Sequence, residues 1–133
     1  MRERLPIFIL ALWWGSLCAL GLWIVPLLFK HLPAASLAGS LAARLFTAQT
    51  WVGLLCGVLL LLSLRKLSPT PEPVVTGLVL AAMILALMSE VVVAPRILAR
   101  ENLAFWHGLG SAIYLAQWGC VSLAFWRRIG LKN

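Results

Sequence analysis

Four apolar runs, each long enough to cross a bilayer, leave this chain few ways to fold. A hydrocarbon core about 30 Å thick asks for roughly 20 helical residues. The runs at about 5–29, 37–64, 74–94 and 103–126 all reach that length. In lipid, backbone N–H and C=O groups must be satisfied inside the protein, and a run of this composition does so as a helix. With 62% of its 133 residues hydrophobic, 11% charged and a mean hydropathy of +0.99, the chain has no stretch left for a separate soluble domain. We therefore expect an all-α membrane protein, a single integral domain over residues 1–133, built as a four-helix antiparallel bundle.

The breaks between the runs agree with this. The first run opens like a signal peptide, yet it is longer than a signal's apolar core and three more spans follow, so it is read as a retained helix. It ends at Lys30-His31, and Pro33 suits the first turn of the next helix. The second run is longer than a perpendicular crossing needs, which calls for tilt or an interfacial first turn. A proline-rich link, RKLSPTPEPVV, leads to the third run, which is expected to stop at Pro95-Arg96; RILAREN then leads to the fourth. Arg2, Arg4, Arg65, Lys66, Arg127, Arg128 and Lys132 flank one side of the membrane, while Lys30, Arg96 and Arg100, with Arg44 nearby, flank the other. By the positive-inside rule both termini are cytoplasmic, in the cytoplasmic (inner) membrane.

The net charge of +7 would suggest nucleic acid in a soluble chain. Here the bases sit at span ends, where they set orientation and meet anionic lipid, so the bilayer is the expected partner and nucleic acid is not. Cys18, Cys56 and Cys120 lie in apolar runs without CxxC spacing, and only His107 lies within a span, since His31 falls in a break. Neither a disulfide framework, a bis-histidine haem nor a metal site is expected, and no cofactor is predicted. Gly53 and Gly57 in the second span, and Gly15 and Ala19 in the first, make small-xxx-small pairs suited to close helix contacts inside the bundle or across a homodimer. Trp106 and Trp126 fit the interfacial belts, whereas Trp13, Trp14, Trp23, Trp51 and Trp118 lie deeper and read as packing residues.

Polar residues inside the spans are the candidates for chemistry. At about 1.5 Å per residue, Glu90 lies roughly 9 Å below Arg96, His107 roughly 6 Å below the start of its span, and Arg44 roughly 10 Å down the second. These depths converge on one layer of the outer leaflet. Intramembrane charges are costly and usually pair or line a cavity, so Glu90 is expected to face Arg44 or His107. His107, Ser111, Tyr114 and Trp118 share one face of the fourth span, and Ser40, Arg44, Thr47 and Trp51 share one face of the second, so the two faces are expected to look at each other. The layer is either a structural clasp, a set of solvated span ends or a ligand site. Gln49 and Gln117, deeper still, are expected to bond neighbouring helices.

At PLLFKHLPAASLAGSLAARLF, VVVAPRI and FWHGLGSAIYLAQWG the chain resembles the family called domain of unknown function 4149, whose animal members carry the name transmembrane protein 205. The resemblance rests on Leu28, Phe29, Lys30, Leu32 and Pro33, then Arg44, Leu45 and Phe46, then Pro95 and Arg96, then His107. It covers nearly the whole chain and implies a four-helix membrane fold without naming an activity. Thr47, Ser89, Gly110 and Tyr114 depart from the family's usual residues. The leading functional expectation is a non-enzymatic accessory or interaction subunit whose polar layer holds the bundle together. The alternative is a small-solute or ion-binding or transport component with Arg44, Glu90 and His107 around an outward cavity. A redox enzyme comes third. A cavity reaching that layer separates the first two.

Overall fold

A computed structural model describes residues 4–67, 70 and 72–130. Four helices, each long and apolar enough to span a membrane, make up nearly all of it: α1 (Leu5–His31), α2 (Ala35–Leu67), α3 (Pro73–Leu98) and α4 (Leu103–Gly130). Each follows its apolar run and continues a few residues past it into polar sequence. Arg2 and Lys132, used in the charge count, and the link residues Ser68, Pro69 and Pro71 lie outside the described residues. Helix α1 packs on α2 and α4, and α3 packs on the same two, so the contacts close into a ring.

Two helices depart from regular α geometry in the same way. Residues Ala19–Ile24 of α1 and Ser89–Val93 of α3 form π turns, each followed at once by a segment with proline in its first turn, Pro26 and Pro95. A proline inside a helix lacks an N–H and its ring collides with the carbonyl four residues back, here Leu22 and Val91. Both carbonyls lie in the widened turns, where the hydrogen bonds reach one residue further, as in Val25 N–H to the Leu20 carbonyl. Local π geometry is how membrane helices accommodate proline. The expected stop at Pro95 is therefore corrected: α3 runs through it to Leu98.

The helix ends are specified locally. The Glu72 carboxylate accepts the Val75 amide at 3.0 Å and so caps α3, with Pro73 first in the helix. After α3, Arg100 N–H bonds the Ile97 carbonyl and Glu101 N–H the Arg96 carbonyl, a Schellman ending. Arg100, at φ 56°, occupies the left-handed position where glycine is usual. Pro33 lies in the link before α2, which begins only at Ala35.

Packing divides the bundle in two. One half holds the core, where Leu10, Trp13, Leu17, Leu60, Val79, Val121 and Ala124 are buried together. Between lipid-embedded helices the drive is fit and hydrogen bonding rather than water expulsion, and small residues allow the approach. Gly53 does so beneath Trp13: a Cβ there would lie 2.9 Å from the indole Nε1. Gly57 likewise receives Met83, whose sulfur would lie 2.5 Å from an added Cβ. Gly15 has nothing within 4 Å and Ala19 is exposed, so the expected packing role for that pair does not hold within the chain. Trp13 and Trp14 pack inward as expected, but Trp23 and Trp51, 70% and 65% exposed, face outward. The other half of the bundle, with α1 beyond its π turn, has no buried residue in Val25–His31 and none in Ala94–Leu98.

Candidate functional site

In that second half the four helices line a half-open cavity of about 630 Å³. Helix α2 lines it with Gly39, Ala42, Ala43 and Phe46, and α1 with Leu17, Cys18, Gly21, Leu22, Val25 and Phe29. The small side chains of α2 leave the space, because nothing larger than alanine projects from three of its four lining positions. Nearly all the polarity sits on the opposite walls: Ser89 and Glu90 on α3, and His107, Ser111, Tyr114 and Trp118 on α4. Both π turns border the cavity, and Glu90 lies within one of them.

The partner of Glu90 is neither of the expected residues. The Thr47 hydroxyl donates to the Glu90 carboxylate, 2.9 Å from Oε1 and 3.1 Å from Oε2, joining α2 to α3. Arg44 is exposed, does not line the cavity, and makes no ion pair or hydrogen bond among the described residues. Its long side chain can reach the headgroup region on its own, so no countercharge is drawn inward. Ser40 and Trp51 also point outward, which corrects the expectation that the polar face of α2 looks at that of α4. The face of α4 is as expected: His107, Ser111, Tyr114 and Trp118 all line the cavity, the first two at its exposed edge.

Tyr114 is the most firmly held of these groups. Its hydroxyl donates to the Leu17 carbonyl at 2.7 Å, just ahead of the α1 π turn, and its ring meets Phe46 edge-on at 5.4 Å between centroids. The ring lies where a side chain at Gly21 would be, since a Cβ there would come within 2.9 Å of Tyr114 Cε1. Trp118 Nε1 donates to Cys18 Sγ at 3.1 Å on the same wall. Deeper, Gln49 Nε2 donates to Ser16 Oγ at 2.9 Å and Trp14 Nε1 to Ser122 Oγ at 3.0 Å, so Gln49 bonds a neighbouring helix as expected. Gln117 Nε2 and Trp13 Nε1 are buried donors beside Gly53 without acceptors among the described residues, so the bond expected of Gln117 is not made by its amide nitrogen.

The remaining motif positions surround the site. Phe29 and Phe46 line the cavity, while Lys30, Leu32 and Pro33 lie at and beyond the end of α1. Arg96 pairs with Glu101 at 2.7 Å and stacks over the Trp106 ring at 5.5 Å, which fixes the turn after α3. Sequence reasoning missed Thr47 as the partner of Glu90 and missed both π turns. The signals were present: Thr47 shares the depth of Glu90, Pro26 stands inside the first apolar run, and Pro95 directly follows the third. Among the described residues no group of three His, Cys, Asp or Glu side chains could hold a metal ion.

No curated protein and no solved structure matches the chain. A family profile does, over residues 8–105, which takes in Thr47, Glu90 and both π turns and ends just before His107. That span covers most of the chain, which belongs to the family described as Domain of unknown function (DUF4149).

Proposed function

We propose that this chain is a non-enzymatic membrane protein that takes a small, largely apolar molecule into the cavity between its four helices. The cavity itself carries the reading. Its volume of about 630 Å³ falls in the ~300–1,000 Å³ range of ligand pockets, and such pockets join apolar walls to a few placed polar groups. Here the polar groups gather on α3 and α4 while α2 contributes none. The hydrogen bonds of Glu90 and Tyr114 run to Thr47 and to a backbone carbonyl, which suits orienting a guest rather than attacking it.

In this reading the helices alternate in direction within the cytoplasmic membrane, both termini are cytoplasmic, and the cavity lies in the outer leaflet. Supporting this, Trp14 meets Ser122 while Leu17 meets Tyr114, so numbering rises along α1 as it falls along α4. The basic pairs Arg65-Lys66 and Arg127-Arg128 sit in the last turns of α2 and α4. A second reading, an accessory subunit or homodimer, is favoured by Gly15 and Ala19: among the described residues no atom lies within 4 Å of a Cβ at Gly15, and Ala19 is exposed.

The cavity reading is tested by filling the space. Gly39 lines the cavity and has no atom within 4 Å of its Cβ position, so Gly39→Phe adds a ring without a clash at the backbone. In equilibrium dialysis against radiolabelled adamantanol, nanodiscs carrying the protein should retain about one probe per chain above empty nanodiscs, by simple occupancy of one pocket. Gly39→Phe should abolish the excess. Retention no greater than in empty nanodiscs would overturn the reading.

A further inference from the structure

We propose that the cavity's ligand is a lipophilic amine, an apolar body bearing one protonated nitrogen, held at the Glu90 carboxylate. This rests on the ligand-binding reading above and names the class of molecule. The first argument is unmet hydrogen-bonding capacity. An ionised carboxylate offers about four acceptor positions, whereas Glu90 receives one hydroxyl proton, shared between its two oxygens at 2.9 and 3.1 Å. No other described residue donates to it. A guest that brings N–H donors and a positive charge satisfies the remainder, and hydrogen bonds of that kind are the strong ones.

The second argument is that no described lysine or arginine lines the cavity. The titratable side chains facing it are Cys18, Glu90, His107 and Tyr114. Arg44, at matching depth, is turned outward and exposed. An anion would therefore meet a carboxylate without a fixed countercharge, and a neutral guest would leave the carboxylate underused.

The walls fit the rest of such a molecule. Phe29, Phe46, Tyr114 and Trp118 bring aromatic rings to the space, and ring faces attract cations. Leu22, Leu98 and Leu115, 69%, 70% and 64% exposed, form an apolar rim, so the guest arrives from the lipid rather than from water. That rim discriminates against hydrophilic cations, while Arg96, in the last turn of α3, is already paired with Glu101 at 2.7 Å.

Three probes sharing one cage, adamantylammonium, adamantanol and adamantane carboxylate, separate the possibilities by dialysis against the intact chain in nanodiscs. The ammonium should bind roughly 10- to 100-fold more tightly than the alcohol, the range of a hydrogen bond to a charged group, and the carboxylate most weakly. Glu90→Gln should abolish the preference for the ammonium over the alcohol. Equal binding of ammonium and alcohol to the wild type, or preference for the carboxylate, would overturn the amine inference and leave the cavity reading intact. Failure of all three to exceed empty nanodiscs would overturn both. Should Glu90→Gln not fold, Ser111→Lys places a cation at an exposed lining position. It should weaken the ammonium and strengthen the carboxylate, and an unchanged order would equally refute the inference.

Discussion

Whether Thr47 or Arg44 holds Glu90 can be decided by measured coupling. Thr47→Val keeps the branched shape of the side chain and removes its hydroxyl, and Glu90→Ala removes the acceptor. Hydrogen bonds to charged groups contribute about 1.5–3 kcal/mol in soluble proteins. In a membrane the unfolded helices find other partners, and interhelical polar contacts average about 0.6 kcal/mol with a maximum near 1.7. Both partners here are half-buried, and the hydroxyl lies 2.9 and 3.1 Å from the two carboxylate oxygens. We therefore expect a coupling of about 1–1.7 kcal/mol, in the upper part of the membrane range, from the Thr47/Glu90 double-mutant cycle. The Arg44→Ala/Glu90→Ala cycle should be additive within about 0.3–0.5 kcal/mol, as for independent sites. Reversible unfolding in bicelles gives the four stabilities of each cycle. A larger coupling for Arg44 than for Thr47 would refute the assignment of Glu90 to Thr47.

Gly21→Ala should cost about 1–3 kcal/mol as overpacking, because the Tyr114 ring it meets is held by a hydrogen bond and by Phe46; adding Tyr114→Ala should recover most of that loss in the same unfolding assay. Gly57→Ala should destabilise by a similar ~1–3 kcal/mol against Met83, whereas Gly15→Ala should leave the monomer's stability unchanged and alter only self-association, read by cross-linking in lipid. Arg100→Gly should raise stability by up to about 1 kcal/mol, since glycine adopts the left-handed position without the Cβ penalty. A cysteine in place of Glu101, in a variant lacking Cys18, Cys56 and Cys120, should react with an impermeant thiol reagent on intact cells; reaction only after lysis would reverse the topology.

The four helices and the depth of the polar layer were legible because both depend on rise per residue, which all helices share closely. Glu90, His107, Ser111 and Tyr114 accordingly reach one cavity. Direction around each helix was much harder to read. In water, polarity marks the outward face, but here lipid and core are both apolar, so Trp13 and Trp23 look alike in sequence although one is buried and the other exposed. Arg44 defeated the pairing expectation for a related reason: a long basic side chain needs no partner when the headgroups are within reach. Thr47 was passed over because attention to charge favours Arg and His, while a hydroxyl satisfies a carboxylate at shorter reach. A cavity at this layer was one of the alternatives, but its α2 wall was not legible, because it is made by what α2 lacks at Gly39, Ala42 and Ala43.

Each π turn carries one surplus residue in its hydrogen-bond ladder. Successive α-helical residues advance by about 100°, so one surplus residue re-aims all that follows it by about that angle. In α1 and α3 the re-aiming begins at Ala19 and Ser89, at the border between core and cavity. The residues that bury Trp13 are thereby decoupled in register from those that surround Glu90. Sequence change can therefore remodel the cavity walls while the tightly packed half keeps its contacts.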